Sequence, residues 1–466
     1  MNDANPFFFV IDVHSGILCQ KPFPPLLVCV DLLLFSTTRL VYYGSGFTQF
    51  FSLKPWDFYE VAAKNMGSVG QINYLPSTYL LFAVWGLPLR LLGIHLSPTE
   101  GIGLAVFWYK LLPVFFYLMC AVLMKNITQH LVEDRKVAEE IALLWLVSPL
   151  AFFSQFTFGQ YDSFTLFFVL IGISYYFNKD LTRFTWCFAV AMTFKYFTAF
   201  LFFPLLLAME KDFKKIGKYA LYFFIPIALE MAPFLISGSN EFKLGVLGFS
   251  VAHRVFGIVV SNGLSSFNLL FMIWATICAY AYFWETDSGA WKERIIALCG
   301  LSWITVFFFI FWHPQWLILI SPFMILNLIY KRNLKDYLTL QLVLMAVAMV
   351  LFSLYWPGNV DQTLLKGGIL GKWGPNLWAV GDVVHMHTLF LIKNPELWLS
   401  FFNALLIISL IFTFKGLSQG HEKTDLNDLS AARKELNTYS IVSIWLFPGF
   451  ALLAYLITLI RDVWSA

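Results

Sequence analysis

Apolar runs of membrane-spanning length alternate along this chain with short clusters of charged or turn-forming residues. A bilayer crossing needs about 20 predominantly apolar residues in a helix. The apolar runs read as crossings, some of them shorter than that, cover residues 23–43, 103–124, 138–153, 163–177, 216–237, 266–284, 295–311, 317–330, 338–356, 397–414 and 440–460. The pattern predicts an all-α polytopic membrane protein of about 11–13 transmembrane helices, because helices alone satisfy their own backbone in lipid without a closed barrel.

Charge orders these runs. Most Lys and Arg fall in Lys21 and in the segments 125–136, 179–183, 211–218, 292–294, 331–335 and 415–434. The positive-inside rule assigns all of these to the cytoplasm, with the N-terminus inside. Two apolar segments then break the alternation. The segment 76–96 must not cross, or the basic cluster at Lys125 would fall outside, so a helix lying in the outer interface is expected there. The stretch between Arg183 and Lys211 is flanked by cations on both sides, which predicts a re-entrant broken hairpin turning near Lys195. Such irregular backbone has to be buried in protein or line a cavity, and a single straight span is the alternative. Outer loops are expected at 44–101, 238–265 and 357–395, and a polar, mobile segment at 416–437. The whole chain, 1–466, reads as one integral membrane domain with a first outer loop (44–101), a core module (102–335) and a C-terminal module (336–466).

Composition agrees: 59% of residues are hydrophobic, 13% are charged and mean hydropathy is +0.71, against about 25% charged in soluble domains. No cleavable signal peptide is expected, since the first residues lack a basic region and Lys21-Pro22-Phe23 leads into a span. The net charge of +3 comes without a basic stripe, so nucleic acid is not an expected partner. Six cysteines lie singly, without CxxC spacing, and read as small core residues.

Three polar motifs at span ends carry the candidate chemistry: Trp56-Asp57-Phe58-Tyr59, Gly159-Gln160-Tyr161-Asp162 and Trp312-His313-Pro314-Gln315-Trp316. The charge pattern puts all three on the outer face, and ionisable groups at a membrane boundary mark sites. Asp57 suits a general base toward a sugar hydroxyl, with Glu60 its nearest competitor, or an N-cap of the helix that follows. Gln160, Tyr161 and Asp162 suit a hydroxylated substrate, and Asp162 equally suits a helix N-cap. His313, beside a helix-breaking proline, suits a phosphate oxygen or a proton shuttle, or is simply a satisfied polar group. Lys195, inside an apolar stretch, suits an anionic lipid headgroup, as does Arg254 beside His253. Arg39 near a span end reads as snorkelling. His385 and His387 lack a nearby ligand set, so no metal site is expected. No P-loop or Rossmann glycine signature points to a soluble nucleotide, and no cofactor is expected.

Taken in order, Trp56-Asp57-Phe58-Tyr59-Glu60, Tyr74-Leu75-Pro76-Ser77-Thr78-Tyr79, Phe158-Gly159-Gln160-Tyr161-Asp162-Ser163, Thr193-Phe194-Lys195-Tyr196, His253-Arg254-Val255-Phe256 and Phe311-Trp312-His313-Pro314-Gln315-Trp316 resemble the GT-C superfamily of polytopic glycosyltransferases. They are similar to dolichyl-phosphate-glucose glucosyltransferases and to bacterial and GPI-type mannosyltransferases, over roughly residues 39–330. The resemblance implies a GT-C-like fold and transfer of a hexose from a polyprenyl-phosphate donor to a lipid-linked or cell-surface glycan acceptor on the outer or lumenal face. By that resemblance Asp57 would be the base and His313 would lie near the donor phosphate; the chemistry of the motifs themselves makes Glu60, Gln160, Tyr161, Asp162, Lys195, Arg254, His313 and Gln315 the substrate-binding candidates. Where those glucosyltransferases carry Asn, this chain has Asp162; where they carry His-Glu-Lys, it has His313-Pro314-Gln315; and their Arg-rich stretch after the His253-Arg254 equivalent is missing, so sugar identity is not carried over. Membrane lipids are the surrounding partners, in a bacterial plasma membrane before an endoplasmic reticulum. A lipid or glycolipid transporter or flippase, or a non-catalytic subunit of the same fold, are the competing readings.

Overall fold

The computed structural model describes residues 58–66, 74–94, 104–157, 161–248, 259–261, 263, 265–284, 291–310, 314–330, 334–355, 395–418 and 425–438. These residues form a predominantly helical structure. The helices are α1 (Phe58–Met66), α2 (Pro76–Leu91), α3 (Leu104–Leu131), α4 (Arg135–Leu146), α5 (Pro149–Phe152), α6 (Asp162–Phe177), α7 (Leu181–Phe194), α8 (Ala199–Met209), α9 (Phe213–Ile236), α10 (Leu269–Phe283), α11 (Trp291–Phe309), α12 (Ser321–Leu326), α13 (Leu334–Tyr355), α14 (Pro395–Ser418) and α15 (426–438). Phe107–Leu131 of α3 and Phe213–Ile236 of α9 are long and apolar enough to cross a membrane. α4 and the helix from Pro149 to Phe156, bent by 46° at their junction, supply a third crossing if they act together. Several shorter apolar helices pack beside them.

Short polar caps set the helix starts at one end of this bundle. Asp134 accepts from Lys136 N and Val137 N, Asp180 from Arg183 N, and Asp212 from Lys214 N, which satisfies amides left open at a helix N-terminus. The same end gathers the basic segments. Lys125 and Arg135 share Glu139 at 3.1 and 3.0 Å, Lys292 Nζ donates to the His130 carbonyl, and Lys211 Nζ donates to the Ala281 carbonyl. Contacts of His130 with Phe177, and of Phe177 with Trp291, bring the link between α6 and α7 into this belt.

Several expected elements differ in the structure. The run 138–153 is not one straight helix, because α4 stops at Leu146 and the chain restarts at Pro149 at an angle. The run 317–330 is a 3-10 turn (Pro314–Leu319), then α12, then a second 3-10 turn (Asn327–Tyr330), consistent with Pro322 sitting at its centre. The run 266–284 opens as a strand, Ser266–Asn268, paired antiparallel with Val259–Ser261 in the expected loop. The segment 416–437, expected to be polar and mobile, contains α15. Leu429 and Leu436 of that helix are buried, and Arg433 Nε pairs with Glu140 Oε1 at 3.0 Å. An apolar stripe and one buried cation were enough to dock an otherwise charged helix. Runs 23–43 and 440–460 and the loop 357–395 lie outside the described residues.

The hairpin expected between Arg183 and Lys211 is present as a turn between α7 and α8. Phe202 stacks on Phe184 at 5.4 Å, and Tyr176 Oη donates to the Leu205 carbonyl at 2.9 Å, so α8 runs back toward the basic end beside α7. α2 packs on α3 through a stacked pair, Trp85 and Trp108, each indole N–H donating to the other's carbonyl at 2.8 Å.

Candidate functional site

The site grows from the α7–α8 turn. α7 ends at Phe194, Lys195 is extended (φ −147°, ψ 112°), and a 3-10 turn, Tyr196–Thr198, starts the return. Thr193 Oγ1 bonds the Val190 carbonyl and Thr198 Oγ1 the Lys195 carbonyl, local side-chain bonds of the kind that compete with helix continuation. The ammonium of Lys195 lies 3.1 Å from Asp162 Oδ1, with the two side chains 6% and 2% exposed. Three aromatic rings surround it: Tyr161 at 4.8 Å, Trp316 at 5.1 Å and Tyr74 at 5.4 Å to their centroids. A desolvated cation over ring faces gains about 2 kcal/mol or more.

Helix ends support both charges. α6 and α7 run antiparallel, so the N-terminus of α6, which carries Asp162, sits beside the C-terminus of α7, which carries Lys195. Helix dipoles favour an anion at the first and a cation at the second. Tyr161, not Asp162, is the N-cap of α6, and neither carboxylate oxygen accepts a hydrogen bond from a described residue. The contact with Lys195 is therefore electrostatic rather than an aligned hydrogen bond. A carboxylate has roughly four acceptor positions, so this one is short of donors.

A second layer holds the cage. Tyr59 Oη donates to the Tyr74 carbonyl at 2.7 Å, and its ring packs edge-on against Phe234 (4.9 Å) and Phe242 (5.0 Å). Burial, then neighbouring Tyr79 and Glu230, raises the Tyr59 phenol well above its ordinary pKa, which keeps it a donor. Glu230 of α9 accepts from Ser77 N at the first turn of α2, fixing the helix that begins two residues after Tyr74. Phe197 packs on Trp316 at 4.8 Å.

Of the residues singled out in the sequence, Tyr161, Asp162 and Lys195 come together here. Glu60 lies on α1 beside Tyr59, with Oε2 buried and without a hydrogen-bond partner among the described residues. Gln315 falls in the 3-10 turn that carries Trp316. Asp57, Gln160, Arg254 and His313 lie outside the described residues. Tyr74 and Trp316 entered the sequence reading only inside motifs, and Glu230 not at all, although an acid within an apolar span is itself a signal. Among the described residues no group of three or more His, Cys, Asp or Glu side chains converges as a metal site requires.

The combination can bind an anion on the ammonium, accept hydroxyl protons on the carboxylate, and stack an apolar or sugar face on the rings. Compared with protein-family models, curated proteins and solved structures, the chain matches none.

Proposed function

We propose that the chain is an inverting glycosyltransferase with a GT-C-like arrangement of about 11–13 transmembrane helices, moving a hexose from a polyprenyl-phosphate donor to a lipid-linked or cell-surface glycan acceptor at the outer face. The supporting observation is the convergence on Lys195. Tyr59, Tyr74, Tyr161-Asp162 and Trp316 come from four separate motifs of the resemblance, and all pack around or behind the lysine of a fifth. They do so away from the basic belt, which this reading assigns to the cytoplasm.

In this mechanism Asp57 takes the proton from an acceptor hydroxyl. The oxygen attacks the anomeric carbon in line, the bond to the phosphate oxygen breaks, and polyprenyl monophosphate leaves with that electron pair. Lys195, with Arg254 and His313, meets the charge that grows on the leaving oxygen, the preorganised electrostatic role that dominates many group transfers. The α7–α8 turn is the re-entrant hairpin of this picture, and α2 the interfacial helix.

The buried Lys195–Asp162 pair at a broken helix also fits a transporter or flippase, where such pairs mark the substrate path. Transfer of radiolabelled sugar from a panel of polyprenyl-phosphate hexoses by purified protein, beside Asp57→Asn, separates the two. Turnover that falls about 10²–10⁴-fold in a well-folded variant supports the enzyme and its base. Absence of turnover, with lipid movement in proteoliposomes, replaces the enzyme by the transporter.

A further inference from the structure

The pair at the centre of the cage is poorly matched for permanence. A buried ion pair that only braces a fold needs its remaining donors and acceptors satisfied, or desolvation outweighs attraction. Here both oxygens of a carboxylate 2% exposed accept no hydrogen bond from the described residues. The ammonium carries three donors, yet its described neighbours besides Asp162 are ring faces. Each member is left able to take a better partner: for Lys195 an anion with several oxygens, for Asp162 a group with several O–H donors.

We propose that Asp162 is the resting counter-ion of Lys195, that a phosphate group displaces it from the ammonium, and that the freed carboxylate then accepts hydrogen bonds from the hydroxyls of the phosphate-linked sugar. The inference rests on the glycosyltransferase reading for the sugar, but the exchange itself needs only a phosphate. Separation from Lys195 does not strand Asp162, because it stays in the first turn of α6, where the helix dipole favours an anion. The tyrosine and tryptophan rings hold the ammonium in place during the exchange, being uncharged and indifferent to which anion faces it. One consequence is directional. A donor phosphodiester carries one negative charge, whereas the monoester released from it carries more, so Lys195 holds the leaving group more strongly than the donor, as catalysis by differential binding requires.

The exchange predicts opposite effects for the two partners. Binding of polyprenyl phosphate, uncharged polyprenol and inorganic phosphate to the full-length protein in lipid nanodiscs tests it, for the wild type, Asp162→Asn and Lys195→Gln. Polyprenyl phosphate is expected to bind Asp162→Asn about tenfold more tightly than wild type, the scale of coupling between neighbouring charges. Lys195→Gln should bind polyprenyl phosphate no better than polyprenol. Asp162→Asn should also lose the preference of wild type for polyprenyl-phosphate hexose over a polyprenyl methyl phosphate, which has no sugar hydroxyls. Inorganic phosphate competing at equal concentration would keep the exchange and assign the site to free phosphate instead of a lipid headgroup.

Unchanged or weaker phosphate binding in a folded Asp162→Asn overturns the proposal and leaves the pair as a brace. If the single variants fail to fold, the double variant Asp162→Asn, Lys195→Gln, which buries no unmatched charge, takes their place. Retained discrimination of polyprenyl phosphate over polyprenol in that protein overturns the proposal, and its loss supports it. Failure of the enzyme reading looks different: wild type turns over no donor, while Asp162→Asn still tightens phosphate binding.

Discussion

Gly172 of α6 packs directly against Phe188 and Cys187 of α7, and its replacement by alanine tests the packing that sets Asp162 against Lys195. A Cβ added there would stand 2.6 Å from Phe188 Cδ2, 2.8 Å from Phe188 Cε2 and 3.3 Å from Cys187 Cβ. Relaxed contact between carbons starts near 3.5 Å, so the ring has to retreat by about 1 Å. It has little room. Phe188 is fully buried, with Phe184 at 4.7 Å and Phe202 of the returning α8 at 6.0 Å. Overpacking of this kind costs about 1–3 kcal/mol. Gly172→Ala should lower the thermal midpoint of the purified protein, followed by tryptophan fluorescence, by a few degrees. The double variant Gly172→Ala, Phe188→Leu removes the ring atoms that collide. Its loss should fall short of the sum of the two single losses by about 1 kcal/mol, the coupling expected of touching side chains. An unchanged midpoint in Gly172→Ala, or strict additivity in the double variant, would refute the close approach of the two helices.

Three further outcomes follow from the packing. Arg433→Met breaks the buried ion pair with Glu140 and should destabilise by about 3–5 kcal/mol, seen first as faster amide exchange over 426–438; Glu140→Leu added to it should recover part of the loss. Glu230→Ala removes the acceptor of Ser77 N, so the start of α2 should exchange its amides faster, at a cost of about 0.5–1.5 kcal/mol for a lost hydrogen bond. Tyr59→Phe deletes the donor to the Tyr74 carbonyl and should cost about 0.5–1.5 kcal/mol in stability, while donor turnover falls further than that as the Tyr74 ring loses its position near Lys195.

How far the sequence reaches is visible in particular residues. The turn at Lys195 was legible because two cationic flanks enclosed an apolar stretch with a charge inside it, and charge parity required the chain to come back. A helix was also expected over 76–96, and Pro76–Leu91 forms one. What was not legible depended on contacts distant in sequence. α15 looks like a solvated linker until Glu140, nearly three hundred positions earlier, is known to face Arg433. The 3-10 character of 314–319 and 327–330 leaves the apolar pattern of a span intact, since both helix types bury the same residues over so short a run. At the site, Asp162 read equally well as an N-cap. Only coordinates show Tyr161 in that place and the carboxylate turned to Lys195.

The position of this pair follows from the helices that carry it. Two opposite charges in an apolar bundle are least costly where helix ends already present the complementary partial charges. An antiparallel pair joined by a short link offers such a place at both ends, and Asp180 already occupies the N-terminus of α7 at the linked one. α6 and α7 are joined by residues 178–180 within the basic belt, so their free ends, with Asp162 and Lys195, must lie together at the other side of the bundle. The aromatic cage is then supplied by whatever chain segments enter at that side, namely Tyr74 before α2 and Trp316 before α12. A charge-reversed pair, Asp162→Lys with Lys195→Asp, preserves the ion pair but opposes both dipoles. It should be less stable than wild type by about 1.2–4 kcal/mol, since each terminus exchanges a favourable 0.3–1 kcal/mol for an unfavourable one. Equal stability would mean that the cage alone, and not the helix ends, decides where these charges can stand.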